Sequence, residues 1–360
     1  MRVVTTLCVV VLLLSFAAHG LARPETEFKV FQFPANQIPR IDGDTSDWDA
    51  VPDDYAIGLD QLNDTERGHG VDLDPKDFDL SVKVGWVKGL NRLYFLYEAY
   101  DDCWDFDRPD LSQDIFELVV DGDLSGGPFI KHMSPHREQL GLEELHFTMH
   151  GVHAQNYHIF TPAKDKDWAM VWGGQPWIKD FPWANAAYAY DFKSGESGKL
   201  TMEFWITPFD HAPYEGPGRA IVTELMANER IGMSWCVLEY DNHEERFHLF
   251  ANLAHDTEMI RNADALCAFR LMPLEDRFRE PVEADWSFKV IDMDRRLVAF
   301  QDASHGEITR WHWDFGDGQT SGEQHPLHQY QKAGEWVVIL DVEGPKGTAR
   351  RGKVWDVVTK

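Results

Sequence analysis

Cysteine is scarce in this chain, with four residues among 360. Cys8 lies in an apolar segment at the N-terminus, so Cys103, Cys236 and Cys267 remain for the body of the chain. An odd number permits at most one disulfide within the chain and leaves at least one thiol free. The sequence also has no CxxC pair and no Cys/His spacing of a zinc site. These absences exclude a disulfide-stapled scaffold and argue against a zinc centre.

Basic residues are also few, because 34 Lys and Arg stand against 61 Asp and Glu, which gives a formal charge of −27. Such a surface repels the phosphates of nucleic acids and the anionic faces of membranes. We therefore expect neither a nucleic-acid partner nor binding to an anionic membrane. Neutral ligands such as sugars, and hard cations such as calcium, stay compatible with this charge.

Long apolar runs are confined to the N-terminus, where residues 1–22 combine a charged start, an apolar stretch and a small-residue exit. Arg2 comes first, Val9–Leu14 form the apolar stretch, and small residues run to Leu21 and Ala22. This order is typical of a cleavable secretory signal peptide. No other segment approaches the ~20 apolar residues of a membrane span. The sequence thus predicts a secreted, soluble protein, extracellular or periplasmic, without membrane insertion.

Strand patterns dominate the body of the chain, and long helical periodicity is hard to find. From Leu80 to Trp86 apolar residues alternate with small or polar ones, and Leu93–Tyr100 resumes as a second strand after a turn. Ile115–Asp121 and Leu200–Ile206 repeat the pattern. Many short strands separated by Gly, Pro and Asp are typical of β-sandwiches. We therefore predict an all-β protein with two β-sandwich domains, a larger one followed by a smaller one.

A charged segment separates the two predicted domains. The sequence PLEDRFREPVEA, from Pro273 to Ala284, contains two prolines and no strand pattern, which is typical of an interdomain linker. We place the first domain at residues 28–275, the linker at 276–284 and the second domain at 285–360.

The second domain carries the most specific motif in the chain. Trp311–Gly318 reads WHWDFGDG and is followed by Pro326, His328 and Tyr330, and then by Ala333-Gly334 before a strand. This order resembles the PKD domain (the polycystic kidney disease repeat), which implies a small immunoglobulin-like β-sandwich. In that family the domain is mostly a non-catalytic spacer or adhesion module of secreted proteins. The resemblance therefore also implies a cell-surface or protein partner.

The residues of this motif have structural roles that can be predicted directly. We expect Trp313 in the core of the domain, since it alternates with polar residues along a strand. Asp314 and Asp317 are expected to accept hydrogen bonds that stabilise a tight turn. Gly316 and Gly318 provide the backbone freedom that such a turn requires.

The first domain carries a looser set of motifs. Ile41–Trp48 reads IDGDTSDW, Asp114–Asp123 reads DIFELVVDGD, and between them Tyr100-Asp101-Asp102 ends a strand in an acidic loop. This order resembles the family 9 carbohydrate-binding module and its relatives, whose pattern is IDG-x-x-x-x-W followed by a D-x-x-E-x-x-x-D strand. The resemblance covers most of residues 36–275 and implies a β-sandwich that binds a polysaccharide. Residues 131–195 contain no motif of that family.

The acidic turn after that strand has the spacing of a calcium loop. In Asp121–Gly126 oxygen-bearing side chains occupy positions one, three and five, with glycine at six. Residues 42–123 hold 23 Asp and Glu against 6 Lys and Arg, a self-repulsion that a bound cation would relieve. The alternative is a solvated acidic face with Asp-Gly turns. The predicted calcium ligands are Asp121, Asp123 and Ser125, completed by carboxylates such as Asp101, Asp102 or Asp114.

Tryptophans are concentrated in one segment of the first domain. Four of them fall within sixteen residues that lack strand alternation. Flat indole rings on a loop can stack on the apolar faces of pyranose rings, while neighbouring polar groups bond the hydroxyls. The alternative is that these rings anchor a long loop onto the sandwich. The predicted sugar-binding residues are Trp168, Trp172, Trp177 and Trp183, with Trp104 after the acidic loop as a fifth.

These observations favour a secreted, non-catalytic protein that binds a polysaccharide or glycan through aromatic loop residues and carries structural calcium. The sequence has no HExxH, no GxSxG and no phosphate-binding loop, and its many carboxylates make some acid pair inevitable. A glycoside hydrolase or accessory enzyme of carbohydrate breakdown, with its catalytic groups in or beside residues 131–195, is the first alternative. A cell-envelope adhesion or structural protein that binds no sugar is the second.

Overall fold

The computed structural model describes residues 21–357 except 109, 131–140 and 243. Residues 1–20 of the predicted signal peptide lie outside the described residues, so that the signal peptide stays a prediction. The two remaining residues of that segment, Leu21 and Ala22, pack against the core of the first unit. The backbone amide of Ala22 donates to the carbonyl of Leu266 at 2.8 Å.

The chain divides into two units, with the boundary between Pro273 and Leu274. The sequence predicted a linker over residues 276–284. Near the end of that range, Glu283 pairs through its backbone with His305 in both directions (3.1 and 2.9 Å). The last part of the predicted linker is therefore already tied into the second unit.

The first unit consists of short strands and one short helix among its described residues. The helix, α1, covers Leu142–Met149, and no described helix is long and apolar enough to cross a membrane. The predicted all-β class is confirmed. The strands are β1 (Ala22–Gln32), β2 (Ile57–Gly58), β3 (Asn63–Asp64), β4 (Phe78–Trp86), β5 (Leu93–Asp101), β6 (Ile115–Asp121), β7 (Gln155–Phe160), β8 (Ala169–Val171), β9 (Ala184–Ala189), β10 (Gly198–Ile206), β11 (Phe209–His211), β12 (Ile221–Val222), β13 (Arg230–Glu239), β14 (Leu249–Asn252) and β15 (Cys267–Leu271).

These strands form two large sheets that share β1. In sheet A the order is β8-β7-β6-β13-β15-β1, with β14 beside β13 and β3 beside β14. In sheet B the order is β1-β4-β5-β10-β9, with β2 beside β4. Residues Glu27–Val30 of β1 pair in parallel with β15, whereas Phe31 and Gln32 pair in parallel with β4. The first strand therefore passes from one sheet to the other.

Sheets A and B pack face to face around one aromatic core. The ring centroid of Phe116 on β6 lies 4.8 Å from that of Tyr97 on β5 and 6.3 Å from that of Phe204 on β10. Phe204 also stacks on Phe95 of the neighbouring strand at 4.5 Å. Burial of apolar faces contributes about 25 cal/mol per Å² of surface removed from water. This arrangement is the β-sandwich that the strand alternation predicts.

Short turns of 3₁₀ helix connect many of these strands, and one of them ends the IDGDTSDW segment. A single buried carboxylate fixes that segment to sheet B. Glu203 on β10 accepts from the backbone amides of Asp42 (3.3 Å) and Gly43 (2.7 Å) through Oε2, and from the indole N–H of Trp48 (2.8 Å) through Oε1. The 3₁₀ turns are Thr45–Trp48, Asp53–Tyr55, Leu59–Gln61, Pro176–Lys179, Pro217–Arg219, Thr257–Ile260, Ala263–Ala265 and, in the second unit, Asp276–Phe278.

Removal of that carboxylate should destabilise the first unit. We expect Glu203→Ala to lower the free energy of unfolding by about 2–4 kcal/mol, because it leaves donors on Asp42, Gly43 and Trp48 without their acceptor. Urea denaturation followed by circular dichroism measures the change. Glu98→Ala, at an exposed position of β5, is the matched control. Equal effects of the two substitutions would contradict the role of Glu203.

The second unit is a smaller sandwich with its own core. One sheet has the order β16-β17-β20 and the other has the order β19-β18-β21-β22. The ring of Trp313 lies 5.7 Å from Trp286 and 5.6 Å from Phe300, and all three residues are buried. The strands are β16 (Trp286–Asp292), β17 (Leu297–Asp302), β18 (Arg310–Asp314), β19 (Thr320–Ser321), β20 (Leu327–Gln329), β21 (Gly334–Gly344) and β22 (Gly347–Val357).

The WDFGDG motif forms the turn that follows β18. Trp313 is fully buried, and its indole N–H donates to the carbonyl of Glu323 at 2.9 Å. Asp314 and Asp317 each accept from the backbone amide two residues further on, at 2.9 and 3.0 Å. Gly316 has a φ of +80°, which an L side chain rarely adopts. The predicted roles of the core tryptophan and of the turn residues are confirmed.

Candidate functional site

A groove of about 620 Å³ lies against the outer face of sheet A. Phe116 on β6 faces sheet B, so the next residue, Glu117, points to the opposite face. The neighbouring strands β7, β13 and β14 contribute further lining residues, and the loop after β8 contributes a tryptophan. The lining includes Glu117, Asn156, His158, Trp172, Leu238 and Phe250.

Three hydrogen-bonded polar side chains lie together in this groove. Glu117 on β6 is directly opposite His158 on β7, and Asn156 shares the face of His158 because it is two residues away. Glu117 Oε2 lies 3.2 Å from His158 Nδ1, and Glu117 Oε1 accepts from Asn156 Nδ2 at 3.1 Å. All three residues are buried. One carboxylate therefore fixes the orientation of both an imidazole and an amide.

Trp172 adds an aromatic side to the groove. It directly follows β8 and is half-buried. Its ring centroid lies 5.6 Å from that of His158, with an interplanar angle of 81°. Of the five tryptophans predicted to bind sugar, Trp172 is the one that lines this groove.

The other three tryptophans of the same segment have a different place. Trp168, Trp177 and Trp183 pack against the core of the first unit. The indole N–H groups of Trp168 and Trp177 each donate to a backbone carbonyl, at 2.9 and 3.1 Å. The rings of Trp177 and Trp183 both meet Phe209 edge to face, at 5.2 and 5.5 Å. These three rings are partly buried and anchor their segment onto the sandwich, outside the groove, so their role as sugar platforms stays a prediction.

The structure corrects the prediction for Trp104. This residue is fully buried, so neither face of its ring can meet a ligand. It stacks on Phe192 with centroids 5.2 Å apart and an interplanar angle of 6°. Its position after an acidic loop suggested exposure, but the chain turns inward there.

A second candidate site is an acidic cluster where β5 and β13 end and β6 begins. Asp101 ends β5, Asp114 directly precedes β6, and Glu239 ends β13. One carboxylate oxygen from each of these buried residues lies within 4.8 Å of the other two. A second group shares Glu239 with this one, and a third group shares Asp241 with the second. We call the combined set of Asp77, Asp101, Asp102, Asp114, Glu239, Asp241 and His248 the acidic cluster.

The electrostatics of the acidic cluster are unfavourable without a cation. Burial raises the pKa of Asp101 to about 8 and that of Glu239 to about 9, and neighbouring carboxylates add to both shifts. Burial also raises the pKa of Asp114 well above its ordinary value. Asp101 Oδ2 and Glu239 Oε2 are buried and have no hydrogen-bond partner among the described residues. A set of carboxylate oxygens of this kind suits a hard cation such as calcium.

The predicted calcium loop closes on itself. Asp121 Oδ2 accepts from the backbone amide of Gly126 at 2.9 Å, and Asp123 Oδ1 accepts from that of Ser125 at 3.0 Å. Asp121 Oδ1 also lies 3.3 Å from the Ser125 amide. Burial raises the pKa of Asp121 to about 7. The one-three-five spacing is thus satisfied by hydrogen bonds within the turn.

This turn is also remote from the acidic cluster. Asp121 is the last residue of β6, whereas Asp114 precedes its first residue. At about 3.3 Å per residue the two carboxylates are separated by roughly 20 Å. The sequence predicted one calcium ligand set made of Asp121, Asp123, Ser125, Asp101 and Asp102. The structure corrects this prediction, because the first three residues lie too far from the other two to share an ion.

Both units are β-sandwiches, and a family comparison identifies the second. The family model of the PKD domain matches residues 294–359. Among the described residues, this match extends from the turn between β16 and β17 through β22. Residues 294–359 are therefore a PKD domain, as the WDFGDG motif predicts.

The curated relatives share only a short stretch with this chain. The collagenase ColQ1 of Bacillus cereus (strain Q1) is 48% identical over 42 residues, which are 12% of this chain and 4% of that protein. The pre-pro-metalloprotease PrtV of Vibrio cholerae serotype O1 is 50% identical over 44 residues, 12% of this chain and 5% of that protein. The chain thus spans about a twentieth of the length of these relatives.

Two solved structures illustrate the similarities of the two units. The PKD1 domain of the Vibrio cholerae metalloprotease PrtV is 33% identical, with a TM-score of 0.21, covering 22% of this chain and all of that one. A family 9 carbohydrate-binding module from Caldicellulosiruptor kristjanssonii, in complex with glucose, is 15% identical, with a TM-score of 0.44. That likeness covers 70% of this chain and 98% of the module.

Proposed function

We propose that the first unit binds a neutral saccharide in the groove on sheet A and leaves it chemically intact. The observation that carries this proposal is the combination of Trp172 with the buried polar side chains of Glu117, His158 and Asn156 in one groove. Saccharide sites combine an aromatic face for the apolar side of a pyranose with a few oriented polar groups for its hydroxyls.

The charge of the chain favours a neutral ligand over an anionic one. With a formal charge of −27, the protein repels polyanions at long range, and Glu117 adds a carboxylate inside the groove itself. A neutral saccharide meets no such repulsion. Its hydroxyls can still bond the polar groups of the groove.

Calcium, export and the PKD domain complete the proposal. Calcium would bind in the acidic cluster, held by the carboxylates of Asp101, Asp114 and Glu239. It would neutralise their charge and fix the loops that carry them. The signal sequence at residues 1–22 would direct the protein out of the cytoplasm. The PKD domain would serve as a spacer or as an adhesion module.

Substitution of Trp172 tests the groove. We expect Trp172→Ala to weaken binding of the best ligand at least about tenfold, because the aromatic contact is lost. Affinity electrophoresis and calorimetry against soluble xylans, glucans and mannans measure the effect. Phe181→Ala is the matched control, since Phe181 lies in the same segment, is 79% exposed and does not line the groove.

The outcomes separate the proposed function from its alternatives. Weak binding by Trp172→Ala and unchanged binding by Phe181→Ala would support the groove as the site. Equal binding by both variants would contradict it. Release of reducing ends from any of the glycans would instead indicate a hydrolase, and silence across the panel would favour a structural protein.

A further inference from the structure

Resting on the proposed function, we infer that Glu117 sets the ligand selectivity of the groove by making His158 and Asn156 hydrogen-bond acceptors. The groove then binds a saccharide that donates hydrogen bonds through its hydroxyls, and it discriminates against uronate sugars, whose carboxylate can only accept. Glu117 is a positioning residue in this scheme, because it acts through His158 and Asn156.

The carboxylate of Glu117 determines how its two neighbours are oriented. A carboxylate accepts hydrogen bonds and donates none, so each group that faces it has to be a donor. Asn156 therefore turns its amide nitrogen toward Glu117 Oε1 (3.1 Å), and His158 carries its proton on Nδ1, 3.2 Å from Oε2. In the neutral imidazole the other nitrogen is then an acceptor.

One polar atom of His158 and one of Asn156 point away from Glu117 and need a partner of their own. His158 Nε2 and Asn156 Oδ1 are buried and have no hydrogen-bond partner among the described residues. Both residues line the groove, and they are only 3% and 1% exposed. A buried polar atom without a partner is unfavourable and rare in native proteins. Each of the two atoms is an acceptor that lacks a hydrogen-bond donor.

The chemistry of these two acceptor atoms defines the class of ligand that can satisfy them. Hydroxyl groups of a neutral sugar donate as well as accept, so neighbouring hydroxyls can satisfy both atoms at once. A carboxylate at C6 of a uronate offers only acceptors, and the buried charge of Glu117 repels it. A site built to accept hydrogen bonds rejects a ligand group that cannot donate them. The ligand class is therefore a neutral pyranoside.

Matched pairs of small ligands test the selectivity directly. Methyl glucoside with methyl glucuronide, and methyl galactoside with methyl galacturonide, differ only at C6. Titration of the full chain followed by NMR gives both affinities. We expect the wild type to favour a neutral member at least about tenfold over its uronide partner.

Glu117→Gln should reduce that preference. A glutamine offers one acceptor and one donor, so it can no longer hold both Asn156 and His158 as donors. We expect the ratio of neutral to uronide affinity to fall about tenfold or more. One of the two ligand-facing acceptors, on Asn156 or His158, becomes a donor, and the negative charge of Glu117 is removed. Glu98→Gln on β5 carries the same chemical change at an exposed position and should leave the ratio unchanged.

A spectroscopic measurement on the wild type covers the case in which Glu117→Gln does not fold. The ¹⁵N chemical shifts of the His158 ring report which nitrogen carries the proton. A proton on Nδ1 with Nε2 unprotonated would support the inference, and a proton on Nε2, alone or together with one on Nδ1, would overturn it. An unchanged ratio of neutral to uronide affinity in folded Glu117→Gln would also overturn the inference. Failure of the wild type to bind any neutral glycoside in any panel would instead reject the proposed function itself.

Discussion

Replacing Trp104 by alanine should lower the free energy of unfolding by about 3–5 kcal/mol, because a fully buried indole is lost from the core. The ring stacks on Phe192 (5.2 Å) and meets Phe78 edge to face (6.4 Å), and its N–H donates to the carbonyl of Gly198 at 3.0 Å. Alanine loses all three contacts and leaves a cavity. Equilibrium denaturation in urea, followed by circular dichroism, measures the change.

A conservative variant separates packing from the hydrogen bond. Trp104→Phe keeps an aromatic ring against Phe192 and loses only the donor to Gly198, so its stability should lie between those of the wild type and Trp104→Ala. Saccharide affinity of the folded variants should equal that of the wild type, since Trp104 does not line the groove. Normal stability combined with weakened sugar binding would restore Trp104 as a ligand contact.

The strands could be predicted from the sequence because their signal is local. Alternation of apolar residues over Leu200–Ile206 specifies which face of β10 joins the apolar core between the sheets. The core position of Trp313 follows from the same rule, together with the Gly-Asp-Gly turn that ends its strand. A period of two residues therefore yields the class of fold and much of its core.

The site could not be predicted in the same way because it depends on register and loop path. Glu117 is visible in the D-x-x-E strand, but its partner His158 is fixed only by the pairing of β6 with β7. Trp168 and Trp172 are four residues apart and flank the short strand β8, and only the path of the chain there places Trp172 in the groove and Trp168 against the core.

The acidic cluster shows the same limit over longer distances. Asp114 and Glu239 come together because β13 lies beside β6, although they are more than a hundred residues apart in sequence, and Asp101 joins them from the end of β5 in the other sheet. The local one-three-five pattern beginning at Asp121 was the stronger sequence signal for calcium. The same pattern is equally satisfied by backbone donors in a self-contained turn.

Without calcium, the free energy of unfolding of the first unit should fall as the pH rises. Asp101 and Glu239 have folded-state pKa values of about 8 and about 9, against ordinary values of 3.8 and 4.5. Between those limits the folded state holds protons that the unfolded chain has released, so unfolding becomes more favourable with increasing pH. Each group contributes a loss of up to about 1.4 kcal/mol per pH unit. The stability that the protonated Asp101 and Glu239 retain in the folded state is fully present below about pH 4 and is lost by about pH 9.

Calcium should remove this pH dependence, because a bound cation stabilises the ionised carboxylates that burial disfavours. Thermal unfolding of chelator-treated protein at pH 5 and pH 8, with and without millimolar calcium, measures the effect. We expect calcium to raise the melting temperature strongly at pH 8 and little at pH 5. Glu239→Gln should reduce both the pH dependence and the response to calcium, while the exposed substitution Glu98→Gln should change neither. A melting temperature at pH 8 that calcium does not move, with no heat of binding in calorimetry, would show that the cluster holds its carboxyl groups protonated and binds no cation.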